Sequence, residues 1–343
     1  MTAFKLNAGS PQPDDLQTKS TPLDRLAADL HAEMDATNAT IIDRSKSYIP
    51  LISQIAEYLI AAGGKRIRPL LTIAAASLCG QTDGAPRVAA AVEFIHTATL
   101  LHDDVVDESA QRRGKPAANM VFGNKSTVLV GDFLFGRAFE LMVETGDIRI
   151  LDILSRASRI ISEGEVLQMA LTGDLSITLD QYRAVIDAKT AALFSAAAQA
   201  GAVCGGADEK QSLAMRDYGH HLGMAFQMID DVMDYETASG AMGKDAGDDF
   251  REGKMTLPVI LALAAADDTE RAFWSRTMKD HDQTDADLAQ ARRIIARHDT
   301  AAAGRALARD HAHAARHALE TLPESPMRGV LDELLDFVVT RNH

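Results

Sequence analysis

Residues 94–108 read FIHTATLLHDDVVDE, an apolar helical segment that runs directly into a cluster of carboxylates. Asp103 and Asp107 are four residues apart, so on a helix their carboxylates lie on one face, which His96 shares. Like charges this close destabilise a helix and raise carboxylate pKa values, and a bound divalent cation removes that cost. The segment therefore predicts a helix with a metal site at its end.

A second cluster of the same kind occurs at residues 226–236, which read FQMIDDVMDYE. Asp230 and Asp234 share a helix face, and Gln227 precedes them by about one turn. Carboxylates without neighbouring His or Cys ligands suit a hard, oxygen-preferring ion such as Mg²⁺, which bridges carboxylates and substrate phosphates. One such cluster is as often a solvated helix face as a metal site. Two clusters inside strongly apolar helices favour the metal.

Basic residues follow or precede these clusters in short segments. They are GGKRIRP at 63–69, RRGKP at 112–116, and Lys244 with Lys254 around a Gly-rich loop. Arginine can bind a pyrophosphate through two parallel hydrogen bonds, and a helix start offers free backbone N–H groups. Any one of these segments fits an ordinary surface, but together they predict a diphosphate pocket.

Helical periodicity extends outward from the two clusters over most of the chain. Apolar residues recur three and four apart from Leu23 to Met34, and similar stripes continue as far as Leu322. Aromatic residues make up only 5%, and no apolar run alternates with period two, which favours helix over sheet. We therefore predict an all-α protein with a flexible tail at residues 1–22 and a single helical domain at 23–343.

Composition narrows the function and the location. Among 343 residues, Lys+Arg 35 against Asp+Glu 49 gives a net charge of −14, which argues against nucleic-acid binding. Cys79 and Cys204 lie far apart and outside any C-x-x-C pattern, so no disulfide framework or zinc site is expected. The uncharged run at 190–207 is rich in Ala, which predicts a buried helix and not a membrane span. We expect a cytoplasmic protein that is not an integral membrane protein.

Five motifs carry a resemblance to the trans-isoprenyl diphosphate synthases over residues 23–343. They are GGKRIRP (63–69), LLHDDVVDESAQRRGKPAAN (100–119), AKT (188–190), FQMIDDVMDYE (226–236) and GKDAGDDFREGKMTLP (243–258). The first motif is most similar to long-chain members, the octaprenyl, solanesyl and decaprenyl diphosphate synthases. The resemblance implies an isoprenoid-synthase-type helical bundle around a deep central cavity, present as a homodimer.

The resemblance also implies a role for each matching residue. Mg²⁺ ligands would be Asp103, Asp107 and Asp230, supported by Asp104, Asp231 and Asp234. The allylic diphosphate would be held by Arg112, Lys189 and Lys244. Isopentenyl diphosphate would be held by Lys65, Arg68, His96 and Arg113. Thr190 and Gln227 would lie near the reacting carbons.

The implied activity is that of a long-chain trans-polyprenyl diphosphate synthase. Such an enzyme adds isopentenyl diphosphate head-to-tail to an allylic diphosphate by ionisation, condensation and elimination, here to about eight to ten isoprene units. The product would form a quinone side chain, as in ubiquinone biosynthesis. A short-chain geranylgeranyl or farnesyl diphosphate synthase is the nearest alternative.

Three other functions fit the sequence less well. A terpene cyclase would not need Lys65, Arg68 and Arg113 for a second diphosphate. A non-catalytic partner subunit predicts decay of one Asp cluster, whereas both are intact. A helical metal-binding scaffold leaves the basic segments unexplained.

Product length is expected to depend on residues one to two turns before Asp103. Ala98 is about 7.5 Å from Asp103 along the helix axis, and it is small where short-chain members of the family carry an aromatic residue. A tunnel bordered by Ile95, Ala98 and Thr99 would therefore continue deeper. Its floor would be formed on the next long helix, where the candidates are Phe135, Phe139, Leu141 and Met142.

Overall fold

The structure is a computed structural model that describes residues 20–61, 63–112, 114–236 and 247–341. Helices form almost all of the regular structure in these ranges, which confirms the predicted all-α fold. The helices of the first half are α1 (Pro22–Asp29), α2 (His31–Arg44), α3 (Pro50–Ala61), α4 (Ile67–Cys79), α5 (Ala85–Val106), α6 (Ala118–Phe122), α7 (Asn124–Glu144) and α8 (Ile148–Leu171). Those of the second half are α9 (Leu179–Ile186), α10 (Ala192–Cys204), α11 (Glu209–Glu236), α12 (Asp248–Arg251), α13 (Leu257–Ala265), α14 (Asp268–Trp274), α15 (Asp287–Arg297), α16 (Thr300–Glu320) and α17 (Pro326–Thr340). Two π-helical turns, Asp187–Ala191 and Ser275–Lys279, adjoin α10 and α14.

Helix α10 lies at the centre, because its small side chains let other helices pack closely on every side. Phe194, Ala198 and Ala202 belong to a core cluster shared with α4, α11 and α16. Leu193 and Ala197 belong to a second cluster shared with α5, α7 and α8. The Ala-rich run at 190–207 is thus a buried helix, as its composition predicts. None of the helices in the described ranges has both the length and the apolar character needed to cross a membrane.

A small antiparallel hairpin follows the first Asp cluster. Its strands are β1 (Gln111–Arg112) and β2 (Lys115–Pro116). The Tyr58 hydroxyl donates a hydrogen bond to the Pro116 carbonyl oxygen at 2.6 Å, which fixes the hairpin against α3. Arg112 is thereby held beside the end of α5.

The apolar stripe from Leu23 to Met34 forms two helices, which differs from the single stripe read from the sequence. The chain bends at Leu30, whose φ of −112° and ψ of 22° separate α1 from α2. Helix α1 begins at Pro22, capped by Thr21, whereas residues 1–19 lie outside the described part of the chain. The division into a tail at 1–22 and one domain at 23–343 stays a prediction.

Candidate active site

The first Asp cluster lies at the end of α5. Asp103 is in its last turn, while Asp107 is the residue that caps it, with its N–H donating to the Asp103 carbonyl oxygen at 2.8 Å. Asp104 is fully buried and accepts a hydrogen bond from Arg112 Nε at 2.6 Å. The Asn119 side-chain amide donates to the Asp104 carbonyl oxygen at 3.0 Å. The hairpin and α6 together therefore fix the carboxylates at the end of the helix.

These carboxylates lie where a negative charge is costly. Burial raises the pKa of Asp103 to about 7, although the Lys189 charge opposes this rise. The carboxylates of Glu165 and Asp107 raise that pKa further. Burial also raises the pKa of Asp104, against the attraction of Arg112. A bound cation would therefore stabilise the charged form of these carboxylates.

The π-helical turn Asp187–Ala191 carries Lys189 and Thr190. A π turn inserts one extra residue into a helix, and such insertions frequently occur at functional sites. Helix α8 approaches this turn very closely at Gly164, where an added Cβ would lie 2.6 Å from the Ala188 Cβ atom. The close approach lets Glu165 pair with Lys189 Nζ at 2.8 Å, and it directs Lys189 towards the first Asp cluster.

The second Asp cluster lies on α11, which also packs tightly against α10. A Cβ at Gly223 would be 2.7 Å from the Ala191 Cα atom, so only glycine allows this approach. One turn further on, Gln227 accepts a hydrogen bond from Thr190 Oγ1 at 2.8 Å. Asp234 accepts backbone hydrogen bonds from Gly247 and Asp249 at 3.2 and 3.1 Å.

A direct contact joins the first Asp cluster to the segment that follows the second cluster. Lys254 Nζ lies 3.3 Å from Asp107 Oδ2, although the residues are 147 positions apart. Burial alone would lower the pKa of Lys254, but the carboxylates of Glu252 and Asp107 outweigh it and raise that pKa. A cavity of about 130 Å³ lies beside this contact. Its lining includes Tyr182, Lys189, Thr190, Gln227, Asp231 and Lys254.

The predicted residues for the second diphosphate come together in part. Arg68 Nη1 lies 3.4 Å from His96 Nε2, and the Arg68 guanidinium is 4.4 Å from the centre of the Phe194 ring. Lys65 is exposed on the loop before α4. Arg113 and Lys244 lie outside the described residues, so their predicted roles stay predictions.

The carboxylates are the type of ligand that a hard divalent cation prefers. Asp104 Oδ2 is buried without a hydrogen-bond partner, and the neighbouring ligands are all oxygen atoms. Within the described ranges, however, no three His, Cys, Asp or Glu side chains already surround one point. Basic side chains instead pair with the aspartates, as Arg341 does with Asp230. A metal and a diphosphate would have to replace these pairs together.

The residues predicted to control product length lie in the second core cluster. Ile95, Ala98 and Met142 are buried there. Thr99 is partly buried, and its hydroxyl donates to the His96 carbonyl oxygen at 2.9 Å. Phe139 is 41% exposed on α7, so it faces outward and does not form a floor. The exposure of Phe139 therefore argues against this candidate.

Three site residues carry no motif that sequence reasoning used. Glu165 pairs with Lys189, Tyr182 donates to Asp231 at 2.7 Å, and Arg341 pairs with Asp230. Arg341 also stacks on Phe226, with the guanidinium 4.0 Å from the ring centre. Only Glu165 had a usable signal, since it follows a glycine inside an otherwise continuous helical pattern.

Residues 49–295 match the model of the polyprenyl synthetase family. The chain belongs to this family, and it is a prenyltransferase. It is 42% identical over 311 residues to the octaprenyl diphosphate synthase of Escherichia coli (strain K12), covering 90% of this chain and 96% of that one.

Two solved structures are similar over nearly the whole chain. A polyprenyl synthase from Caulobacter crescentus CB15, complexed with calcium and isoprenyl diphosphate, has 52% identity and a TM-score of 0.91, covering 95% of this chain and 99% of that one. A decaprenyl diphosphate synthase from Rhodobacter capsulatus has 52% identity and a TM-score of 0.89, covering 94% of this chain and 100% of that one. The predicted resemblance to long-chain members of the family is confirmed.

Proposed function

We propose that this protein is a long-chain trans-polyprenyl diphosphate synthase that uses Mg²⁺. The observation that carries the proposal is the contact between Lys254 and Asp107, because it brings the loop after the second cluster to the first cluster. The cavity beside this contact is bordered by Asp231 of the second cluster and by Lys189 and Lys254. The names of the similar proteins, which include octaprenyl and decaprenyl diphosphate synthases, support the long-chain assignment.

The proposed metal ligands are Asp103, Asp107 and Asp230. Bound Mg²⁺ would supply positive charge against the diphosphate leaving group. The calcium and isoprenyl diphosphate in the similar Caulobacter structure support a divalent cation beside this kind of substrate. Asp104 is buried and accepts a hydrogen bond from Arg112 through one oxygen, so we propose that it supports the metal ligands at the end of the helix.

Basic residues would hold the two diphosphates in separate positions. Arg112 and Lys189 lie around Asp103 and are suited to the allylic diphosphate, a role that we extend to Lys244. Arg68 and His96 lie together, with Arg68 against the Phe194 ring of α10, and they are suited to isopentenyl diphosphate. Lys65 and Arg113 complete that proposed set.

The reaction follows from these positions. Positive groups stabilise the charge that develops on the departing diphosphate, which lets the allylic C–O bond ionise. The double bond of isopentenyl diphosphate, held nearby, attacks the carbocation. The released diphosphate then takes up a proton, and the product is again an allylic diphosphate. Apolar walls keep water from the cation.

We propose that the growing chain runs along α5 towards α7. Ile95, Ala98 and Met142 belong to one buried aliphatic cluster, which suits a hydrocarbon chain. The absence of a large side chain at Ala98 supports a product of about eight to ten units. Such a product would serve as the side chain of a quinone such as ubiquinone.

A homodimer is also proposed, because three consecutive helices expose many large apolar side chains. Those on α6, α7 and α8 that are more than 60% exposed are Met120, Leu129, Val143, Ile148, Val166 and Met169. Leu129, Gly136 and Val143 follow one another at intervals of seven along α7, and an added Cβ at Gly136 would meet nothing within 4 Å. Apolar patches of this kind mark protein–protein interfaces.

The test of the proposed activity uses the purified protein, Mg²⁺, labelled isopentenyl diphosphate and a series of allylic diphosphates. We expect label in an extractable polyprenyl product, no incorporation with EDTA, and recovery with excess Mg²⁺. Asp103→Asn should lower the rate by more than about 100-fold, whereas Asp152→Asn, an exposed aspartate on α8, should not. Absence of incorporation with every starter would contradict the proposal. Release of diphosphate without use of isopentenyl diphosphate would instead indicate a terpene cyclase.

A further inference from the structure

A chain of hydrogen bonds links three elements behind the proposed site. Thr190 Oγ1 donates to Gln227 Oε1 at 2.8 Å, and Gln227 Nε2 donates to Asp231 Oδ1 at 2.8 Å. The Tyr182 hydroxyl donates to the other oxygen, Asp231 Oδ2, at 2.7 Å. The chain thus runs from the π turn through α11 to α9.

Asp231 is fully engaged by these contacts. It is 3% exposed, each of its oxygens accepts a side-chain hydrogen bond, and the Leu257 backbone N–H also donates to it. Among the residues that the structure describes, Asp230 pairs by contrast with Arg341, at a more open position. Asp231 is therefore poorly placed to bind a metal, and its carboxylate instead acts on its neighbours.

The carboxylate of Asp231 decides which way the Gln227 amide points. A hydroxyl such as that of Thr190 can donate or accept a hydrogen bond, so it can pair with either the oxygen or the NH₂ group of an amide. A carboxylate only accepts, so only the amide NH₂ group can face it. The side-chain oxygen of Gln227 must then face Thr190 and the cavity that both residues line.

Tyr182 keeps that carboxylate in one orientation. Without the hydroxyl, Oδ2 of Asp231 would be a buried acceptor that has lost a partner, a situation that costs stability unless the group rotates. Rotation of the carboxylate would release the amide of Gln227. Tyr182 is itself 3% exposed and lines the same cavity, so its ring is held in place.

We propose that Tyr182 and Asp231 are positioning residues that fix the Gln227 carboxamide with its oxygen towards the reacting carbons. This inference rests on the proposed synthase activity, in which positive charge develops on the allylic carbon. The negative end of a pre-oriented amide dipole stabilises that charge, and it acts most strongly in the transition state.

The first experiment measures steady-state kinetics of Tyr182→Phe with both diphosphates. We expect kcat to fall about tenfold with both KM values unchanged, because the lost interaction acts in the transition state. The matched control is Tyr218→Phe, which removes an equally buried hydroxyl that donates to the Leu331 carbonyl oxygen at 2.8 Å. This control should keep the wild-type kcat.

A double-mutant cycle separates positioning from a general structural role. In a Gln227→Leu background there is no amide left to orient, so adding Tyr182→Phe should change kcat less than twofold. A further tenfold loss in that background would overturn the proposal, as would a Tyr182→Phe enzyme that behaves like the Tyr218→Phe control. An inactive wild-type protein would instead contradict the synthase activity itself.

Should Tyr182→Phe fail to fold, as judged by circular dichroism and thermal melting, Asp231→Asn provides the second test. Its side chain has nearly the same shape, but its NH₂ group can donate to Gln227 and so permits the amide to turn over. We expect the same loss of kcat at constant KM. A raised KM with unchanged kcat would overturn the proposal.

Discussion

Three aspartates near the proposed site are each paired with a basic residue. Arg112 pairs with Asp104, Lys254 with Asp107, and Arg341 with Asp230. A buried charge without a partner is costly, so these pairs keep the carboxylates stable in the absence of substrate. Metal ions and a diphosphate can exchange partners with them, because the carboxylates then bind the cations while the bases bind the phosphate oxygens.

Ala98→Phe tests the proposed tunnel at a single residue. Ala98 is completely buried, and it lies about 7.5 Å from Asp103 along the helix axis. We expect the aromatic ring to shorten the product by more than about two isoprene units, since it stands so near the reacting end. The measurement is the size distribution of the dephosphorylated products.

The matched control for that variant is Ala312→Phe, which overfills the other core cluster by the same volume. Both changes should cost about 1–3 kcal/mol of stability. Only Ala98→Phe should change the product. An unaltered product from a folded Ala98→Phe protein would show that this face of α5 does not border the tunnel.

The sequence predicts those site residues whose type and spacing along the chain are themselves typical of a metal or diphosphate site. Asp103 and Asp107 are four apart, so any helix puts them on one side, and this held although Asp107 only caps the helix. The partners of such residues were not predictable. Glu165 is 24 positions from Lys189, and Arg341 is 111 positions from Asp230. Spacing along the chain does not reveal which distant helices meet.

At the scale of elements, the long apolar stripes of the sequence predicted the helices well. The places where a helix bends or changes to a π turn were not predicted. The stripe at Ile148–Leu171 coincides with α8. The bend at Leu30 had no Gly or Pro to signal it, and the π turn that carries Lys189 arises from packing against α8 and α11, which a linear pattern does not contain.

Helix α16 carries a histidine that contacts α11. His311 is half-buried, with its Nδ1 atom 2.9 Å from Nδ1 of His221 on α11, so one of the two rings donates to the other. Burial lowers the pKa of His311 to about 4, and the nearby His221, His220 and Arg183 lower it further, against Asp310. His313 is exposed on the same helix.

This cluster predicts a stability that depends on pH. A histidine whose pKa is lower in the folded state binds protons better when unfolded, so stability is lost as pH falls from about 6.5 towards 4. We expect His311→Asn to reduce the fall in Tm between pH 7 and pH 5. His313→Asn is the control and should keep the wild-type slope. Equal slopes for all three proteins would contradict the shift.

At the scale of the molecule, the exposed apolar residues of α7 and α8 predict a dimer. Charged side chains introduced there should dissociate it. Leu129→Glu combined with Val143→Glu should convert a dimer into monomers, as measured by light scattering after size-exclusion chromatography. Burying a carboxylate in an apolar interface is strongly unfavourable. Ile42→Glu, at a residue that is 53% exposed on α2, is the control and should remain dimeric. A monomeric wild-type protein would exclude the proposed interface.

The net charge of −14 argued against nucleic-acid binding but could not show how charge is distributed. Part of it lies in two acidic clusters that face bases within one helical bundle. The all-α class followed from periodicity alone, whereas the central place of α10 depends on close contacts at glycines such as Gly223.

The most direct test of the whole account is the length of the product made by the wild-type protein. Purified protein is incubated with Mg²⁺, farnesyl diphosphate and excess labelled isopentenyl diphosphate, and the dephosphorylated products are sized by chromatography against standards. We expect a product of about eight to ten isoprene units. Products that stop at about three or four units would contradict the long-chain assignment.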